Sequence, residues 1–139
     1  MLSLVYASSA TEPMSEAALD RLLASSRSNN AERHITGMLL YKDGQFLQVL
    51  EGDDETVRDA YAEIARDARH EDVRVLLDSP IDRRQFEDWT MAYRRVSAED
   101  LSSVPGYDPI LHDYGRSLSS WSEPSRARLL LDWFRTHRI

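Results

Sequence analysis

Cysteine is absent from all 139 residues, which excludes disulfides, thiolate metal sites and cysteine nucleophiles. No apolar run approaches the ~20 residues that a membrane-spanning helix needs. The N-terminus lacks a basic stretch followed by a long apolar one, so no secretory signal is expected. Positive charge is in deficit: 17 Lys and Arg face 24 Asp and Glu, for a net charge of −7. The basic residues are scattered, with short pairs such as Arg83-Arg84 and Arg94-Arg95. That argues against a surface that neutralises nucleic-acid phosphates. The dinucleotide fingerprint, the P-loop and the G-x-S-x-G nucleophile elbow are all missing. The four histidines, at 34, 70, 112 and 137, do not fall at zinc-ligand spacing. "EGDDE" lacks the ligand pattern of a twelve-residue calcium loop.

What remains is the composition of one soluble globular domain, 42% hydrophobic and 29% charged. "LSLVYA" (2–7) reads as a strand with Leu2, Leu4 and Tyr6 on one face. "MSEAALDRLLASSRSNN" reads as a helix capped by Ser15. Ala18/Leu19, Leu22/Leu23 and Ser26 form its stripe, and Asn29-Asn30 is expected at its end. In "HITGMLLYKDGQFLQVLEG", two apolar runs flank Asp43-Gly44, the signature of a two-residue hairpin turn. Gly37, inside the first run, marks a place where another group approaches closely. Asp53 or Asp54 then caps a helix with Val57, Tyr61, Ile64 and Ala68 as its buried stripe. "RDARHED" (66–72) reads as the charged, solvated end of that helix. "DVRVLLDSPI" (72–81) and "DWTMAYRRV" (88–96) are expected strands, the latter with Trp89, Met91 and Tyr93 on one face.

The order β-α-β-β-α-β-β predicts an α+β fold: a ferredoxin-like sandwich with two helices on one face of a mixed sheet. Residues 1–96 make that domain. Residues 97–139 form a C-terminal helical extension, too short to be an independent domain. Leu130, Trp133 and Phe134 of its capped helix must be buried, either on the open sheet face or in an interface.

"GQFLQVLEG" poses a physical problem. Phe46, Gln48 and Leu50 share the face expected to be buried, and a buried amide without partners costs roughly 1–3 kcal/mol. Gln48 is either a satisfied core glutamine or a group serving a ligand. The strand alone leaves both open, just as Tyr6 alone reads as a core tyrosine and Asn30 alone as a helix cap.

"SLVYAS", "SRSNN", "ITGMLLYKDGQFLQVLEG", "RDARH" and "WTMAY" together resemble, in order and spacing, the BLUF family, the sensors of blue light using flavin. The resemblance spans residues 1–96. It implies a flavin held non-covalently between the two helices: FAD, with FMN as the other candidate. By position, Tyr6 matches the photoactive tyrosine and Gln48 the switching glutamine. Asn30 matches the asparagine on the flavin ring edge, with Ser26 and Asn29 as neighbours. Asp67, Arg69 and His70 match the motif at the ribityl and phosphate end, and Trp89 and Met91 match a signal-relay pair on the last strand. Ile35, Leu39 and Phe46 are expected to line the slot for the flat ring.

The implied mechanism is a photocycle in which Tyr6 gives up and recovers an electron and a proton. Gln48 is left rotated or tautomerised, and the absorption moves slightly to the red. An amide suits this role because it donates from one end and accepts from the other. The lack of cysteine excludes the cysteinyl-adduct type of flavin sensor. With no output domain recognisable, the expectation is a short stand-alone cytoplasmic photoreceptor and not an enzyme. It would signal through an unidentified partner protein, with homodimers favoured and no direct nucleic-acid or membrane binding. The alternative is a small flavin-dependent oxidoreductase, against which stand the missing nicotinamide motif and the missing acid/base pair.

Overall fold

The computed structural model describes residues 1–12, 14–42, 44–86, 91–95 and 131–133. Within them, β1 (Leu2–Ala10), α1 (Glu16–Arg33), β2 (Thr36–Lys42), β3 (Gln45–Gly52), α2 (Asp54–Ala65), β4 (His70–Pro80) and β5 (Ala92–Arg95) follow one another. The sheet order is β4-β1-β3-β2-β5. β1 runs antiparallel to both β3 and β4, β3 antiparallel to β2, and β5 parallel to β2. This is the split β-α-β arrangement of the ferredoxin-like sandwich, extended by a fifth strand.

Side-chain alternation divides the core in two. On the helix side, Leu4, Tyr6, Leu39, Phe46 and Leu50 meet Leu19, Leu22 and Leu23 of α1 and Val57 and Ala60 of α2. On the far side, Val5, Met38, Leu40, Leu47 and Val49 pack with Phe86 and Leu131, and Trp133 lies against them. The described piece of the C-terminal segment therefore sits on the sheet face away from the helices; Leu130 and Phe134 lie outside the described residues.

Ser15 caps α1 as expected, its Oγ accepting from the Ala18 amide at 3.1 Å. The Asn29-Asn30 pair is not the end of that helix. α1 runs one turn further, to Arg33, and closes on His34 in the left-handed conformation, φ 55. Asp53 precedes α2 without a side-chain capping bond. "RDARHED" is not a helix end either: α2 stops at Ala65, so Ala68 is outside its stripe, and His70 already opens β4. β4 thus begins two residues earlier than its apolar pattern indicated, and β1 extends to Ala10. Backbone pairing between Ala10 and His70 carries both strands past their apolar runs.

Lys42 pairs with Gln45 and Gly44 has φ 81, as the tight hairpin requires. A Cβ at Gly37 would stand 2.0 Å from the Val49 carbonyl oxygen, which is the close approach expected there. The fifth strand was expected from 88; residues 88–90, including Trp89, lie outside the described set.

Candidate functional site

One sheet row crosses the helix face. Tyr6 of β1 stands directly opposite Gln48 of β3, and Gln48 opposite Leu39 of β2. Tyr6 is 1% exposed and Gln48 4%. The Tyr6 phenol donates to Gln48 Oε1, and Gln48 Nε2 donates to Met91 Sδ at 3.2 Å. The amide is therefore bonded at both ends, to a tyrosine on one side and a thioether just ahead of β5 on the other. Met91 is itself held from α1, whose Arg27 Nε donates to the Met91 carbonyl at 3.0 Å. Burial, reinforced by Tyr61 and Asp67, pushes the Tyr6 phenol well above its ordinary value of 10.0, so it remains a neutral donor.

Above this row the helices stand apart around a cavity of about 170 Å³. The second half of α1 supplies no apolar anchor. Leu22, Ser26, Asn29, Asn30 and Arg33 face the cavity at helical spacing, and Ala60, Glu63, Ile64 and Asp67 do the same from the α2 side. Tyr6, Leu39, Phe46 and Gln48 form the floor, with Arg69 and His70 at one end. Ser26, Asn29, Asn30, Leu39, Phe46, Gln48, Asp67, Arg69 and His70 are thus brought together with Tyr6 around one space. Asn30 is buried, Ser26 half-buried and Asn29 exposed at the rim.

Ile35 stands apart from this group. It is fully buried in the helix-side core but does not line the cavity. It precedes β2 next to Gly52, under the start of α2, where its side chain fills the sandwich. Ser25, Arg33, Ala60 and Glu63 line the cavity without having been singled out in the sequence, and Leu22 and Ile64, read there only as helix-stripe residues, line it too. The polar stripe on α1 was the available signal for Ser25 and Arg33.

The rim carries two ion pairs. Arg33 of α1 pairs with Glu63 of α2, and Arg69 pairs with Asp67, Nη2 to Oδ2 at 2.6 Å. The Arg69 side chain and backbone amide together push the Asp67 carboxyl down to about 2. Burial lowers His70 below its ordinary value of 6.5. Its Nδ1 lies 3.0 Å from Ser8 Oγ, and its ring packs on Phe46 at 4.8 Å between centroids.

These features fit a flavin. Leu39 and Phe46 offer an apolar surface to a flat ring. Two buried amides, Gln48 and Asn30, suit a ring edge that both donates and accepts. Arg33 and Arg69 stand at the rim, where a phosphate-bearing tail would leave.

Comparison with known proteins agrees. Residues 1–92 match the BLUF family, described as sensors of blue-light using FAD. Photoactivated adenylate cyclase subunit beta of Euglena gracilis is 33% identical over 121 residues, which is 86% of this chain but 14% of that protein. The dark-state structure of BlrB, a BLUF protein, superposes with TM-score 0.79 at 26% identity, covering 98% of this chain and 96% of BlrB. Klebsiella pneumoniae BlrP1, solved with FMN and cyclic diGMP, gives TM-score 0.64 at 29% identity, over 88% of this chain and 34% of BlrP1. The chain thus spans a small part of the curated relatives it matches. With the family pattern over residues 1–92 and a buried tyrosine–glutamine pair beneath the cavity, the chain belongs to the BLUF family of blue-light flavin sensors.

Proposed function

We propose that Tyr6, Gln48 and Met91 form the light switch of this sensor and that the cavity takes FAD. The observation that carries this reading is the Gln48 amide. It is buried, it lines the cavity, and it is bonded at one end to Tyr6 and at the other to Met91. Bound in the cavity, the flavin supplies blue-light absorption and reversible electron acceptance. Tyr6 is the donor: its phenol is neutral, and Gln48 Oε1 is the first acceptor for its proton. Gln48 turned end for end presents Nε2 to the Tyr6 oxygen and Oε1 to the Met91 side, so both partners must change their bonds. Asn30, held on α1, is the fixed reference on the ring edge. Ser26 and Asn29 flank it, and Asp67, Arg69 and His70 hold the ribityl and phosphate end. FAD is favoured over FMN by the family description; the FMN-bound BlrP1 keeps FMN as the competitor to be tested.

The displaced Met91 biases β5 and, through the sheet, the face on which Leu131 and Trp133 rest. Residues 1–96 act as the sensory unit and 97–139 as its cap and output surface. The signal passes to a partner protein or to a second copy of the chain. Relatives named as adenylate cyclases make a nucleotide-cyclase effector the first class to try. Among the described residues no helix is long and apolar enough to cross a membrane.

The test is a light-minus-dark spectrum of the flavin-loaded protein. A small red shift that reverses in darkness is expected. Flavin that only bleaches, or that is reduced by NAD(P)H with turnover, would point to redox chemistry and overturn the reading. Extraction and chromatography of the bound flavin separates FAD from FMN.

A further inference from the structure

Glu51 is a fully buried carboxylate, 0% exposed, three residues beyond Gln48 on β3. It points to the opposite sheet face, in register with Thr36 of β2. A buried charge needs a complete set of donors, and Glu51 draws them from two places. Thr36 Oγ1 donates to its Oε1 at 2.9 Å. The backbone amides of Phe86 and Gln85 donate to Oε1 and Oε2 at 2.6 and 3.0 Å. Arg84 Nη1 closes the cluster by donating to Thr36 Oγ1 and to the Glu51 carbonyl, both at 3.0 Å.

The 84–86 segment is not otherwise part of the sheet. It follows β4 and precedes Met91, the residue bonded to Gln48. Phe86 belongs to the far-side core with Leu131, whereas Met91 belongs to the helix-side core. The two residues thus pack on opposite faces of the sheet. The Glu51 carboxylate anchors the 84–86 segment on the far face, and Arg27 holds Met91 on the near face.

We propose that Glu51 is a positioning residue of the light switch: its carboxylate pins the 84–86 segment to β2 and β3 and thereby sets where Met91 meets Gln48. This rests on the reading of Tyr6, Gln48 and Met91 as the switch. The dark arrangement, with Met91 Sδ on Gln48 Nε2, is favoured by the pinned segment. Loosening the anchor therefore prolongs the state in which that contact is broken.

Glu51→Gln tests this with little change of shape. The new amide nitrogen confronts a backbone N–H where a carboxylate oxygen had accepted. The flavin-loaded full chain is compared as wild type, Glu51→Gln, Met91→Leu and the double variant, reading the red shift and the rate of dark recovery. Glu51→Gln is expected to keep flavin and a red shift but to recover on the order of fivefold more slowly, as the loss of a bond to a charged group allows. In the Met91→Leu background the same change should alter the rate by less than about twofold, because the group it positions is gone. Recovery that is unchanged or faster in Glu51→Gln, or an equal effect in both backgrounds, overturns the proposal. If Glu51→Gln does not fold, Thr36→Val, which removes one bond to the carboxylate, must slow recovery in the same sense or the proposal fails. A wild type without any reversible red shift disposes of the switch itself, an outcome distinct from failure of Glu51 alone.

Discussion

Tyr6→Phe removes one oxygen from the centre of the site and little else. The ring of Tyr6 packs edge-on against Tyr61, 5.5 Å between centroids at 62°, and phenylalanine keeps that contact. What is lost is the donor to Gln48 Oε1. Both residues are buried, so water does not readily replace the bond, and an orphaned amide oxygen costs about 1–3 kcal/mol. In a domain of this size that lowers Tm by roughly 2–10 °C, a measurable loss that leaves the protein folded. The cavity lining is otherwise unchanged, so flavin stays bound. The optical effect is expected to be complete: without the phenol there is no proton to pass to Gln48, and the reversible red shift disappears. Differential scanning fluorimetry and a light-minus-dark spectrum of the same sample measure both effects. A folded, flavin-loaded Tyr6→Phe protein with a full red shift and dark recovery would refute the reasoning. The elevated Tyr6 phenol adds a control. In wild type the red-shift amplitude should remain flat as pH approaches the ordinary phenol value of 10.0.

Other expectations follow from the same geometry. Gly37→Ala places a methyl 2.0 Å from a backbone oxygen of β3 and should cost more than about 3 kcal/mol. Gly44→Ala meets open space at φ +81 and should cost only about 1 kcal/mol; equal denaturant midpoints for the two variants would contradict the close approach at Gly37. Burial holds His70 below 6.5, so the unfolded chain binds more protons there. Stability should therefore decline as pH falls below about 6.5, a slope that His70→Asn removes. Asp67, depressed from 3.8 to about 2, contributes stability that is present above 3.8 and lost as pH falls toward 2. Stability measured against pH in wild type, His70→Asn and Asp67→Asn resolves the two windows. Glu63→Gln breaks an ion pair whose side chains are 35% and 53% exposed. Tm should move by less than about 2 °C, while flavin affinity rises as Arg33 is freed, more so at low salt; unchanged affinity at low salt would remove Arg33 from the binding site.

The order of elements and the faces of the central strands were determined by the sequence itself. Period-two alternation in "FLQVLEG" assigns Phe46, Gln48 and Leu50 to one side whatever surrounds them. A tight turn at Asp43-Gly44 then leaves β2 and β3 little choice of register. The buried amide was visible as a problem, and five motifs in register named the family. Helix and strand ends were less legible. α1 continues past Asn30 because its last turns are tied down by the His34 cap and by the start of β2. β4 starts at His70 because it pairs with Ala10, and no local signal reports a cross-strand partner. Ile35 is buried ahead of β2, beside Gly52 and close to Val57 of α2, a placement that no local signal reports. Glu51 was the least legible. In sequence it is the acid that closes the strand "GQFLQVLEG" at the head of the acidic run "EGDDE", and only tertiary structure brings the Gln85 and Phe86 amides to it from more than thirty residues away. Alternation and turn chemistry act over a few residues and can be read locally. The partners of a buried polar group are fixed by packing between distant segments, and that is settled only when the chain has folded.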